Sequence, residues 1–441
     1  MKRRTFLSTS ALGLASARMT FGADSFSATK KNRKLSFDIV IVGGGPAGCA
    51  AALAASRQGA RVALIEQHPC FGGVWTMGAL SIIIDGHNKT GIMEEIKMKL
   101  KGDQYIHDFY NDPQKKVYNV EGMKLLLDDM LGKSGAYLRL HTFAADVVRT
   151  GNRIEKIITA SKSGFEEWEA DVFIDCSGDG DLAALAGCDY HMGNEKNGQM
   201  QPGTTYGLVG GWEGEFPKRK ELIEIFERAG KELPYQGIYI FVQDGMEKMG
   251  YLMPSHIYGL DPTDADNITR SEIEGRRQVK YVVDVIKEHG GPKFKDFFLA
   301  STAPTIGIRE GRRIVGNYYL TIEDLETGRK FSDSICDVEM PVDIHHVTKE
   351  TGTGLDNIWT KPYQVPFRCL QPVNIDNLLT AGRCISGSFL AHGSYRVTGN
   401  SVPIGEAAGI AAALAVEKGI QPAELDGLEV RDKVDAFRKN L

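Results

Sequence analysis

A chain of 441 residues has room for two ordinary domains. Hydrophobic residues make up 42% and charged residues 25%, the balance of a soluble globular protein, and a formal net charge of −5 gives no electrostatic case for nucleic acid or an anionic membrane surface.

The first residues, MKRRTFLSTSALGLASA, combine a basic start, a short apolar stretch and the small-residue site Ala15-Ser16-Ala17. This is the pattern of an export signal (residues 1–17), too short to span a bilayer as a mature helix. Arg3-Arg4 before Thr5-Phe6-Leu7 resembles the twin-arginine type, which exports proteins already folded around a cofactor and predicts a periplasmic or otherwise exported product. Residues 18–35 read as a polar tether, so 1–35 is set aside from the fold. No later stretch is long and apolar enough for an integral membrane span. The seven cysteines have no C-x-x-C pair, so neither a redox dithiol nor a zinc ribbon is signalled and no essential disulfide is expected.

Lys34–Val42 reads as a buried strand. The turn follows, then a helix that Pro46 and Ala47 open and Gly59 ends. A second parallel strand ends at Glu66. In this βαβ unit Gly43 permits the tight turn, Gly45 lets a pyrophosphate approach the backbone, and Gly48 lets helix lie close to strand. Glu66 can accept both hydrogens of a ribose diol, while the helix N-terminus faces the phosphates. Gly72-Gly73, in the next loop, offers a second backbone surface. Tyr137–Val148 reads as strand, and Ile154–Ser161 with Phe165–Ile174 as a hairpin turning at Gly164. DCSGDGD then places Ser177 and Gly178 in a further strand-to-helix turn, while LLTAGRCISGS places Gly382 and Arg383 in another. A long small-residue helix has Pro403 near its start and Gly419 just past its end. Only an extended dinucleotide would use all four segments.

Together these segments resemble the FAD-dependent oxidoreductases of the glutathione-reductase-type superfamily, and more closely the exported members called simply FAD-dependent oxidoreductases. The resemblance spans nearly the whole chain after the leader and implies FAD. It implies an α/β fold: a Rossmann-like FAD-binding domain, with a parallel sheet, in two parts (36–187 and 371–441), and an inserted α+β substrate or cap domain (188–370). It also implies that Glu66 binds the adenosine ribose, that the strand from Thr142 to Val147 borders the adenine, and that the helix carrying Gly405 aims its N-terminus at the flavin pyrimidine edge. Asn400 lies at the start of that helix, beside the flavin on this reading.

No second G-x-G-x-x-G is present for NAD(P)H, so the small-molecule substrate itself is expected to reduce the flavin, with a quinone, a cytochrome or dioxygen as the final acceptor. Hydride passes from a C–H bond of a small polar substrate, a carbohydrate or hydroxy acid, to flavin N5. The alternatives are an electron relay between proteins and an NAD(P)H-using monooxygenase. His392, Tyr395 and Arg396 precede the flavin-facing helix, which makes His392 a candidate base and Tyr395 or Arg396 a candidate oxyanion or acid holder. GIREGRR offers Arg309 to the active site, or else a charged turn or an ion-paired brace. Trp75 is a candidate to cover a flavin face or else to pack in the core, and His68 and Cys70 raise the question of a covalent flavin. His345-His346 with Asp343 read as a surface loop rather than a metal site, because neighbours on a strand point to opposite faces. His87 and Asp85 likewise read as loop residues.

Overall fold

The computed structural model describes residues 33–109, 112–246 and 248–441. The stretch read as an export signal and most of that read as a tether lie outside these residues. Strand β1 (Arg33–Val42) begins inside the stretch read as tether, because Arg33, Lys34 and Leu35 already pair with Glu166, Glu167 and Trp168.

The main sheet is built from β1, β2 (Val62–Ile65), β3 (Tyr137–Arg139), β4 (Thr142–Thr150), β5 (Arg153–Ser161) and β6 (Gly164–Asp175), in the order β3-β2-β1-β6-β5-β4. The β3-β2-β1-β6 run is parallel, and β5 and β4 continue antiparallel. The far end of β6 takes a further parallel partner, Leu378–Thr380. The chain therefore returns to this sheet after an excursion of some two hundred residues, and the third and fourth glycine turns come to lie beside the first.

Helix α1 (Pro46–Arg57) starts at the Gly43–Gly45 turn, with Pro46 in the first turn where a missing N–H costs nothing. Within the excursion, β7 (Gly207–Gly210), β8 (Tyr239–Val242), β9 (Met249–Met253) and β10 (Phe298–Thr302) form an antiparallel sheet in the order β8-β9-β7-β10. Helices α2 (Arg219–Ala229) and α3 (Ala265–His289) cover one face of it with Leu222, Phe226, Val282 and Ile286 against Val209, Ile240 and Leu252. A hairpin follows, β11 (Val342–His345) and β12 (Leu355–Ile358). The last segment contributes α4 (Phe389–Tyr395) and α5 (Thr398–Lys418).

α5 is buried from Thr398 to Ala415 and packs on α1 through backbone. A Cβ on Gly405 would lie 2.1 Å from the Ala47 carbonyl oxygen, and one on Gly409 would lie 2.3 Å from that of Ala51. Alanine-rich and glycine-rich faces let the two axes approach this closely. The N-termini of both helices are thereby held at the same end of the sheet. Among the described residues no helix is long and apolar enough to cross a membrane.

Candidate active site

One cavity of about 1620 Å³ runs from the β2 tip to the antiparallel sheet. That exceeds the roughly 300–1,000 Å³ of a usual small-ligand pocket and leaves room for a cofactor and a substrate together.

The first half is backbone-lined. Gly43 has φ +99° and sits against β6, where a Cβ would lie 2.3 Å from the Cys176 carbonyl oxygen. Gly45 begins α1 with no capping side chain, so the first helical N–H groups and the positive end of the dipole are left for an anion. Glu66 is buried at the tip of β2. One of its oxygens accepts the Gly44 N–H at 2.6 Å and the other the His68 N–H at 2.8 Å. A carboxylate has about four acceptor positions, so a diol can still be held. Ser177, Gly178, Gly382 and Arg383 continue this wall. The N-terminus of α5 closes it: Val397, Thr398 and Ser401 line the cavity, and buried Thr398 Oγ1 has no hydrogen-bond partner. These features fit an extended dinucleotide: a cradle a Cβ would fill, two uncapped helix ends, a buried carboxylate and an orphaned hydroxyl.

Glu66→Gln is expected to weaken FAD binding about ten-fold or more, because the amide nitrogen must face one of the two N–H donors and a charge-assisted bond is lost. Flavin fluorescence on dilution of the holoprotein measures this. Unchanged affinity would remove Glu66 from the site.

The other half gathers side chains from separate elements. β11 carries Asp343 and His345, the α4–α5 junction carries Arg396, and the segment bridging Gly307 to Thr204 carries Arg309. Asp343 Oδ2 lies 3.5 Å from His345 Nε2 and 3.3 Å from Arg396 Nη2. Arg396 also donates to the Asp343 carbonyl at 3.0 Å and to Gln201 Oε1 at 3.3 Å. Burial pushes the Asp343 carboxyl up, but His345, Arg396 and Arg309 outweigh it and hold it well below the usual carboxylate range. Burial, then the Arg309 charge, lowers the His345 ring to about 3, and Asp343 offsets only part of this. His345 is thus a neutral imidazole beside an anionic carboxylate, with Nδ1 free of any hydrogen-bond partner. Its ring lies 5.5 Å from Tyr235, which also lines the cavity, and 5.4 Å from the buried His256.

The expected site residues divide. Gly43, Gly45, Pro46, Ala47, Glu66 and Gly73 line the cavity, as do Ser177, Gly178, Gly382 and Arg383, and at the far end Arg309 and Arg396. Gly48 lies beneath the turn, where a Cβ would be 1.8 Å from the Gly43 carbonyl oxygen. Gly72 supports the wall through its N–H to Gly44 at 2.8 Å without facing the cavity. Val147 packs into the core behind β4, and Thr142, Phe143 and Ala144 take the place expected of it. Gly405 is a helix-packing residue, and Asn400 is buried against Cys336, with Sγ 3.9 Å from Oδ1.

His392 and Tyr395 also stay out of the cavity. α4 turns both into the core, edge to face at 5.4 Å, and the Tyr395 hydroxyl donates to the Ile385 carbonyl. Burial and the charges of Arg313 and Arg396 hold the His392 ring neutral, well below its ordinary range. Trp75 is fully buried beside Tyr118 rather than over the cavity. His68 lines the cavity and Cys70 does not.

The residues of GIREGRR divide. Glu310 and Arg313 form a fully buried brace at 2.6 Å, and Arg309 and Arg312 face the cavity. The surface-loop reading of His345 is corrected: it is a buried strand residue. The alternation that separates His345 from His346 also places Asp343 and His345 on one face, and that was the available signal. Asp85 is also buried, ion-paired to Lys89 at 3.4 Å, at the cavity edge.

Three of the ten histidines, His256, His345 and His392, are held below their ordinary value of 6.5, in each case by burial first. The unfolded chain therefore binds more protons than the folded one as pH falls below 6.5, and the stability these rings contribute is lost on that side. Buried Asp175, Asp179 and Glu310, pushed up by burial, act in the opposite sense at lower pH. Imidazole NMR is expected to show three rings that stay neutral from about pH 8 to about 5.5. Titration of all ten in that range would refute the assigned burial.

A sequence model of a family described as FAD dependent oxidoreductase matches residues 38–441. Among solved structures, the chain is similar to a geranylgeranyl bacteriochlorophyll reductase-like protein of Thermoplasma acidophilum, with 14% identity and a TM-score of 0.48 over 92% of this chain and 84% of that one. It is similar also to p-nitrophenol 4-monooxygenase of Pseudomonas putida, with 12% identity and a TM-score of 0.49 over 92% and 88%.

Proposed function

This chain belongs to the FAD dependent oxidoreductase family and is an FAD-dependent enzyme; from that premise we propose that it oxidises a hydroxyl-bearing carbon of an anionic small molecule, a hydroxy acid. The observation that carries the reading is the single cavity joining Glu66 and the glycine turns to His345, Asp343 and Arg309. Bound FAD would supply a two-electron acceptor for the hydride, held by Glu66, the Gly43–Gly45 turn and the N-termini of α1 and α5. The rest falls to the protein. Arg309 holds the anionic group, and the His345 ring receives the hydroxyl proton as the carbonyl forms. Asp343 accepts from Nε2–H, which fixes the tautomer and stabilises the imidazolium, and Arg396 in turn fixes Asp343. Enclosure by the antiparallel sheet and the β11–β12 hairpin keeps bulk water from the proton acceptor.

The proposal includes export through the twin-arginine leader and reoxidation by a quinone, a cytochrome or dioxygen. Fractionation of cells producing the full chain, with and without Arg3→Lys and Arg4→Lys, tests the first. Anaerobic addition of hydroxy acids and sugars to the holoprotein tests the reaction: a hydroxy acid should bleach the flavin absorbance. Bleaching by NAD(P)H alone would overturn the reading in favour of a nicotinamide-driven enzyme.

A further inference from the structure

The antiparallel sheet is apolar on both faces: helices α2 and α3 cover one, and the other lies against the main core and the cavity. Along β8, Ile240 points with Val209 and Leu252 into the core beneath α2 and α3. Tyr239 and Phe241 point the other way, beside their register partners Met253 and Tyr251, as the two-residue alternation of a strand requires. Tyr239, Phe241 and Met253 line the cavity, together with Phe109 and Tyr206. The Tyr239 and Phe241 rings lie nearly parallel, 26° apart, with centroids at 6.4 Å. Phe109 lies 5.4 Å and Tyr206 6.3 Å from Phe241, and the Tyr206 hydroxyl is 3.1 Å from Met253 Sδ. This is a broad aromatic wall, with Tyr239 and Phe241 nearly parallel and Phe109 and Tyr206 tilted against them.

Arg309 ends the wall. Its Nη1 donates to the Pro202 carbonyl at 2.7 Å and to Thr204 Oγ1 at 2.8 Å, two residues before Tyr206. Its other nitrogens make no hydrogen bond, and among the described residues no carboxylate lies within 4.0 Å of it. Arg312, Arg383 and Arg396, in the same cavity, each have one: Asp181, Asp179 and Asp343. Arg219, exposed at the mouth, spends two nitrogens on the Gln236 carbonyl. Among the described arginines that line the cavity, Arg309 is therefore the interior one left for the ligand. A monoanion neutralises it, whereas a dianionic phosphate would leave negative charge beside Asp343. A carboxylate also matches the open edge of the guanidinium in shape.

We propose that the substrate is an aromatic 2-hydroxy acid, its ring on the Tyr239–Phe241 face, its carboxylate on Arg309 and its carbinol toward His345. This rests on the reading of His345 as the proton acceptor. A carbohydrate would set its hydroxyls against an aromatic wall that offers them few partners, and would leave Arg309 without a counter-charge.

The holoprotein is titrated with benzoate and phenylacetate, which have no oxidisable hydroxyl, and with acetate and glucose, following the flavin difference spectrum. The aryl carboxylates should bind about ten-fold or more tighter than acetate, from the apolar surface they bury. Arg309→Met should weaken benzoate, phenylacetate and acetate alike while FAD content stays unchanged, and Arg309→Lys should restore part of the binding. Equal binding of benzoate and acetate, or benzoate binding unaffected in Arg309→Met, overturns the assignment. Anaerobic reduction by mandelate and phenyllactate then separates the two readings. Aryl binding without reduction would sink the oxidation chemistry and keep the ligand class. Reduction by glucose, or by a non-aromatic hydroxy acid alone, would sink the ligand class and keep the chemistry.

Discussion

His345→Gln is expected to slow substrate-dependent flavin reduction by about 10²–10⁴-fold, the usual worth of a positioned general base. Glutamine fills much of the same space and can still donate toward Asp343, but it cannot take a proton. FAD content and benzoate affinity should stay near wild type, because His345 touches neither the glycine turns nor Arg309's bonds to Pro202 and Thr204. The wild-type rate should also lack an acidic limb from this group near neutrality, since its ring is held at about 3 by burial and the Arg309 charge. A stopped-flow rate within a few-fold of wild type would move the proton acceptor elsewhere. The same experiment on His392→Gln discriminates, since a ring enclosed with Tyr395 in the core has no path to the substrate and its loss should act on stability.

The largest structural effect is expected at the α1–α5 contact. In Gly405→Ala the new methyl would meet the Ala47 carbonyl at 2.1 Å, with backbone on both sides and no flexible side chain to yield. The helices must separate, and Ala47 is the second residue of the helix whose N-terminus faces the dinucleotide. Overpacking of this kind costs about 3 kcal/mol or more. FAD retention should fall with it, as the first turn of α1 shifts from the Gly43–Gly45 cradle. Denaturant unfolding of the holoprotein measures the first effect and bound flavin per chain the second. Gly132→Ala is the control: it lies in a helix with nothing within 4 Å of the added methyl, and should stabilise slightly by helix propensity. Equal behaviour of the two variants would disprove the close approach.

The cofactor half of this molecule is legible in the sequence because its logic is local. Gly43, Gly45, Gly48 and Glu66 belong to one strand–turn–helix–strand unit, and the conformations they need follow from neighbouring residues. The small-residue run from Ser401 to Gly419 likewise reads as a helix, although its Gly405, expected at the flavin, packs against Ala47. Tertiary structure decided the reacting half. Asp343 and His345 on β11, Arg309, Arg396 and Gln201 arrive from four places in the chain, and nothing between these segments in sequence says they meet. Position before the flavin-facing helix was the only ground for His392, and α4 turns His392 inward while delivering Arg396, four residues on, to the cavity. Alternation along β8 was readable, but which of its faces would be covered by helices was not. That depends on where α2 and α3 pack, and their packing puts Tyr239, Phe241 and Met253 on the cavity side.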